Sequence, residues 1–141
     1  MMASNSYLYD SNGWKTSSRK DVDGTPVMDV YNKGSFVKPV TLQNGATAIG
    51  DGTAFDVESY KTLTLEISGT ATSHTLVFEG ASASGTWYPV QGVRLSDYDM
   101  KSQITTKGEV WTFEVPGLVK FRARLSAVAG GNISVKGNAV S

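Results

Sequence analysis

Strict alternation of apolar and polar side chains recurs along this chain, and a period of two buries one face of a strand, whereas a helix would scatter the same apolar groups around its axis. In residues 62–68, Leu63, Leu65 and Ile67 alternate with Thr62, Thr64, Glu66 and Ser68, and residues 75–79 repeat the rule with Leu76 and Phe78. Trp111, Phe113 and Val115 share one face of a run that Pro116 and Gly117 terminate. Phe121, Ala123 and Leu125 face inward while Lys120, Arg122 and Arg124 face outward. The last segment sets Ile133, Val135, Gly137 and Ala139 against Ser134, Lys136, Asn138 and Val140. Residues 62–68, 75–79 and 87–90 are expected to form a three-stranded antiparallel unit, with Trp87 as its aromatic anchor. Roughly seven or eight short strands at turn spacing predict an all-β, two-sheet antiparallel β-sandwich of jelly-roll type, with a closed barrel as the competing architecture.

Residues 1–39 read differently, as an extended N-terminal arm with short strands that precedes a sandwich domain over residues 40–141. Asn12-Gly13 suits a type I′ hairpin turn, and Asp23-Gly24-Thr25-Pro26 is a second turn signal. The arm carries Tyr7, Tyr9, Trp14, Tyr31 and Phe36, too many large apolar groups for a solvated tail, so they are expected to pack on the domain or on a neighbouring subunit. Pro39 marks the expected boundary; residues 40–48 follow as a strand in which Asn44-Gly45 makes a bulge or turn. Val93 and Leu95 are expected to continue the strand after Trp87, interrupted by Gly92, and residues 96–100 to form a loop.

A chain of 141 residues is most simply one domain, large enough to hold itself together without cross-links. It contains no cysteine, which excludes disulfides, thiolate zinc sites and thiol nucleophiles. Thirteen basic and thirteen acidic residues cancel and are scattered, so no long-range field draws the chain to nucleic acid or an anionic bilayer. The beginning of the sequence lacks the basic and apolar regions of a signal peptide, and no apolar run approaches the roughly 20 residues of a membrane helix. The expectation is a protein neither exported by a cleaved signal nor embedded.

Catalytic chemistry finds no foothold. His74, the single histidine, sits in a polar stretch that reads as a solvated turn, and no Gly-x-Ser-x-Gly elbow accompanies it. Asp97 with Asp99, and Asp21 with Asp23, lack the later bidentate Glu of a calcium loop. Glu79, Asp97, Glu109 and Glu114 show no spacing that would pair them across a glycosidase cleft. No catalytic, cofactor or metal residue is therefore assigned. Two surface features remain. Lys120, Arg122 and Arg124, with Lys136 expected on the neighbouring strand, form a basic stripe that reads first as a soluble face and second as a site for an acidic partner. Trp87, Tyr88 and Tyr98 could stack on sugar rings, although alternation puts Trp87 and Tyr88 on opposite faces and so one of them in the core.

The ordered pieces resemble a known class. Residues 52–57 and 60–70, Phe78-Glu79-Gly80 leading to Ser84-Gly85-Thr86-Trp87-Tyr88-Pro89-Val90, Val115-Pro116-Gly117-Leu118 with Phe121-Arg122-Ala123-Arg124, and Gly131-Asn132-Ile133-Ser134-Val135 are similar to small virion proteins of tailed bacteriophages. The similarity covers about residues 50–140, and Tyr9-Asp10-Ser11-Asn12-Gly13-Trp14 and Asp21-Val22-Asp23-Gly24-Thr25-Pro26-Val27 resemble the short N-terminal segment that often precedes such domains. The resemblance implies a non-enzymatic β-sandwich without cofactors that decorates or stabilises a virion at the capsid surface, neck or tail. Its implied partners are other virion proteins and further copies of itself; nucleic acid and membrane are not among them. Related sandwiches also bind carbohydrate, so recognition of a host surface glycan is the alternative. The polar insertion at residues 96–107 departs from the pattern.

Overall fold

A computed structural model describes residues 36–141. In chain order the strands are β1 (Val37–Ala46), β2 (Phe55–Asp56), β3 (Thr62–Gly69), β4 (Ser73–Ala81), β5 (Trp87–Pro89), β6 (Gly92–Arg94), β7 (Met100–Lys101), β8 (Gln103–Ile104), β9 (Glu109–Glu114), β10 (Lys120–Ala129) and β11 (Ile133–Val140). They make two sheets in which every pairing is antiparallel. The larger sheet runs β1-β11-β3-β9-β6-β7; the smaller runs β2-β10-β4-β5, with β8 also paired to β4. The all-β sandwich is as expected, and neither sheet closes into a barrel.

Alternation places the core. Leu63, Leu65 and Ile67 of β3, Trp111 and Phe113 of β9, and Ile133, Val135 and Ala139 of β11 are buried, as are Leu76 and Phe78 of β4 and Phe121, Ala123 and Leu125 of β10. The centre is aromatic and joins the sheets. The Phe78 ring lies 4.5 Å from Phe113, and Phe113 lies 5.0 Å from Phe121. Truncating a ring there to Ala would cost about 3–5 kcal/mol, through lost transfer energy plus the cavity left behind.

The central hairpin expected from residues 62–79 does not exist. β3 belongs to the larger sheet and β4 to the smaller, so the chain between them crosses the end of the sandwich. The Thr70 and Ala71 N–H groups donate to the Asn132 carbonyl at 3.0 and 3.1 Å, and the Thr72 N–H donates to the Ala129 carbonyl at 2.9 Å. These bonds tie the crossing to the β10–β11 turn rather than to itself. Gly69 permits the close approach: at φ +139°, a Cβ there would lie 2.1 Å from the Asn132 carbonyl oxygen.

A second crossing separates β5 from β6, which therefore do not form one interrupted strand. The Val90 N–H donates to the Phe78 carbonyl at 2.9 Å as the chain leaves the smaller sheet. Residues 96–107, read as loop and polar insertion, contain β7 and β8 and place Ile104 in the core. Nor is β4 half wet. Leu76 and Phe78 face the core, while Val77, Glu79 and Ala81 on its other face are buried too.

β1 starts at Val37 and contains Pro39. Proline is tolerated because β1 is an edge strand among the described residues, where a missing N–H breaks no ladder on the open side. Its register against β11 shifts twice beside Gln43, and Gly45 adopts φ +65°, in keeping with the expected bulge. Phe36 lies beside the end of β11: its N–H donates to Ser141 Oγ at 2.8 Å, and the Ser141 N–H returns to the Phe36 carbonyl at 3.0 Å. Tyr7, Tyr9, Trp14 and Tyr31 lie outside the described residues.

Candidate functional site

Two surfaces concentrate the polar chemistry of the described residues. The first is the outer face of the smaller sheet. Strand register lines up Asp56, Lys120, Ala81 and Trp87 in one row, and Arg122, Glu79 and Pro89 in the next. Arg122 Nε donates to Glu79 Oε1 at 2.9 Å, and Arg124 donates to both Glu79 oxygens at 3.2 Å. Arg122 also pairs with Asp51 at 3.3 Å, and Lys120 with Asp56. Burial pushes the Glu79 carboxyl up, but hydrogen bonds from Arg124 and Arg122 outweigh it and hold the group below the ordinary glutamate value.

The basic stripe is therefore charge-matched rather than free. Lys136 is not part of it, because β11 lies in the other sheet. Sequence alternation could not assign the sheet, so strands adjacent in the chain were expected to be adjacent in space.

Trp87 and Tyr88 depart from expectation together: Trp87 is half-buried and Tyr88 is 63% exposed, so neither is core. β5 is a three-residue edge strand. The inward place opposite Tyr88 is filled by Leu118 and Val90, which lie 2.7 and 2.9 Å from where a Cβ on Gly80 would sit. The Arg122 guanidinium lies over the Trp87 ring, 4.1 Å from its centroid, which occupies a face the indole would need for stacking on a sugar. Trp87 also lines a groove of about 420 Å³ with Ala81, Ser82, Gly85 and Lys120.

The second surface is the β6–β7 hairpin at one edge of the larger sheet. Arg94 grips Asp97 with two parallel hydrogen bonds of 2.9 Å, reaches Glu109 at 3.2 Å and touches Asp99 at 3.4 Å. Glu109 also accepts the Trp111 indole N–H at 2.8 Å and the Thr106 hydroxyl at 2.6 Å. Arg94 holds the Asp97 carboxyl below the ordinary aspartate value. For Glu109, burial pushes up, but the bonds from Thr106, Trp111 and Arg94 prevail and the carboxyl stays low. Asp97 and Asp99 thus secure an arginine rather than offer calcium ligands. Sequence reasoning passed over Arg94, although an arginine three and five residues before two aspartates in a turn is the pattern of such a clamp.

The clamp fixes an apolar tip. Tyr98 takes φ +60°, unusual for an aromatic residue, and its N–H donates to the Arg94 carbonyl at 2.7 Å. Its side chain is 76% exposed, flanked by exposed Leu95 and Met100. Among the described residues, no group of His, Asp and Glu is arranged to hold a metal ion. His74 is neither in a turn nor solvated; it lies on β4 and is buried.

Comparison with known proteins places this geometry in a lineage. The chain is 36% identical over 102 residues to the uncharacterized protein YqxG of Bacillus subtilis strain 168, covering 72% of this chain and 34% of that one. It is 34% identical over 100 residues to the phage-like element PBSX protein XepA of the same organism, covering 71% and 36%. It is 30% identical over 115 residues to the SPbeta prophage-derived protein YomS, covering 82% and 93%. The chain therefore spans about a third of the length of YqxG and XepA and nearly all of YomS. The crystal structure of YomS superposes with a TM-score of 0.75 at 28% identity, covering 80% of this chain and 100% of that one. The crystal structure of the PBSX exported protein XepA superposes with a TM-score of 0.76 at 25% identity, covering 90% and 49%. The resemblance to phage proteins thus holds at the level of phage-derived relatives. The model of the XepA family matches residues 37–139, from the start of β1 almost to the end of β11, and the chain belongs to that family.

Proposed function

We propose that this chain is a non-enzymatic structural component of a phage-derived particle, a self-associating β-sandwich that decorates or stabilises the virion at the capsid surface, neck or tail. The observation that carries this reading is that, among the described residues, both edges of the larger sheet bear exposed apolar side chains. Phe36 precedes and Val37 opens β1 at one edge, 64% and 63% exposed, while Tyr98 precedes and Met100 opens β7 at the other, 76% and 56% exposed. Open edges present unpaired backbone groups, and apolar side chains beside them favour cover by another chain. Two unlike edges meeting head to tail make a contact that closes into a ring or continues as a filament. The residues before β1, with Tyr7, Tyr9, Trp14, Tyr31 and Phe36, are the proposed assembly arm toward further copies or other virion proteins; residues 37–39, expected as its end, belong to β1 instead. The reading needs no cofactor, nucleic acid or membrane.

Light scattering on the full chain, with Met100→Asp as the edge variant, tests it. Assembly of the parent and dissociation of the variant support the reading; a parent that stays monomeric at high concentration and is absent from purified particles overturns it. A glycan-binding receptor module is the second reading, favoured by the exposed Tyr98 ring on its clamped turn. Binding on a glycan array that disappears in Tyr98→Ala would support it; no binding by the parent would remove it.

A further inference from the structure

Among the described residues, His74 is the one ionisable group buried without a paired charge or a complete set of hydrogen bonds. It is 5% exposed, and its Nε2 is the only buried side-chain nitrogen or oxygen among the described residues with no hydrogen-bond partner. On one flank its strand partner is Val128 of β10. On the other, β8 pairs Ile104 with Leu76 and Gln103 with Val77, so the same antiparallel register brings Thr106 opposite His74. The segment that leaves β8 for β9 therefore runs beside His74, with Thr106 nearest it in register.

That segment is held by the pairing of β8 with β4, by Ile104 in the core and by a backbone bond at each end. The Phe78 N–H donates to the Ser102 carbonyl at 2.8 Å, and the Gly108 N–H donates to the Ile67 carbonyl at 2.7 Å. The Thr106 hydroxyl donates to Glu109, which also holds Arg94 and so the β6–β7 tip. The charged groups acting on the ring are Lys107, which opposes a positive imidazole, and Glu109, which favours one. Both Glu109 oxygens are already engaged, by Thr106, Trp111 and Arg94.

We infer that His74 is an acid-operated latch: while the ring is neutral residues 102–108 stay docked on β4, and its protonation releases them while the rest of the sandwich remains folded. A neutral ring leaves Nε2 as an unpaired acceptor, which is tolerable. An imidazolium turns the same atom into a buried, charged donor with nothing to receive its proton, and the cheapest relief is to let the neighbouring segment lift and admit water. Burial, more than any neighbouring charge, lowers the His74 pKa from its ordinary value, with Thr106 and Glu109 working against burial and Lys107 with it. Release would pass through Thr106 and Glu109 to Arg94, loosening the exposed tip. This inference does not depend on the structural role proposed above.

A single histidine makes the test clean, because the chain gives one imidazole resonance to follow by NMR from pH 8 to 5. Hydrogen exchange on the full chain, corrected for intrinsic rates, is read at the Phe78 and Gly108 amides, with the Val115 and Leu125 amides as references. The latch predicts an imidazole midpoint below the ordinary 6.5. It also predicts that protection at Phe78 and Gly108 falls at least tenfold through that midpoint while the references hold. His74→Phe, which keeps the bulk without the titration, should abolish the pH dependence. Unchanged protection at Phe78 and Gly108 through the imidazole titration overturns the inference, as does the same loss of protection in a folded His74→Phe. If that variant does not fold, the parent titration decides alone.

Discussion

Gly92→Ala tests most directly how the larger sheet meets the core. A Cβ on Gly92 would lie 2.3 Å from Cε2, 2.6 Å from Cζ and 2.8 Å from Cδ2 of Phe113. Carbon atoms in contact sit about 3.5–4.0 Å apart, so the ring must retreat by about 1 Å or more. It has nowhere to go, being 1% exposed and wedged between Phe78 at 4.5 Å and Phe121 at 5.0 Å. Overpacking of this kind costs about 1–3 kcal/mol, and a ring held on both sides puts the expected loss near the top of that range. Equilibrium urea unfolding reads the loss. Phe113→Leu alone should cost roughly 1–2 kcal/mol, less than the 3–5 of full truncation. Combined with Gly92→Ala it should cost less than the sum, since the smaller side chain vacates the space the new methyl needs; a coupling of about 1 kcal/mol or more is expected. A Gly92→Ala protein within about 0.5 kcal/mol of the parent, or two strictly additive losses, would refute the reasoning.

Three further outcomes follow from the site geometry. Trp87→Ala should cost only about 1 kcal/mol, the loss of a cation–π contact with Arg122 at a half-buried site, whereas Phe78→Ala should cost about 3–5; equal losses by urea unfolding would mean Trp87 belongs to the core after all. Tyr98→Gly should leave stability within about 1 kcal/mol of the parent, because relief at φ +60° offsets the extra freedom of the unfolded chain, while the self-association proposed above should weaken at least tenfold by light scattering. Glu79 holds its proton less tightly folded than unfolded, so it adds stability above its unfolded pKa near 4.5, and that stability disappears as pH falls through the lower folded value. Glu79→Gln should therefore lower stability at pH 7 and flatten its decline below pH 4.5 in a series of thermal melts, and an unchanged acid limb would contradict the ion-pair account.

The period-two pattern determined a great deal by itself. Leu63, Leu65, Ile67, Trp111, Phe113, Val115, Phe121, Ala123, Leu125, Ile133, Val135 and Ala139 are all buried as alternation requires, because a residue's side of a strand depends only on its parity. Tertiary structure alone decided which strands are neighbours. Turn residues such as Gly69 and Gly92 announce that the chain changes direction, but whether the next strand pairs in plane or crosses to the opposite sheet depends on bonds to distant groups, such as those from Thr70 and Ala71 to Asn132. The same distance in sequence hid the surfaces. Glu79 meets Arg122 and Arg124 across 43 and 45 residues. His74 is buried, and the segment that runs beside it through Thr106 comes some thirty residues later. Local periodicity records which way each side chain points; what it meets there is set by where the rest of the chain returns.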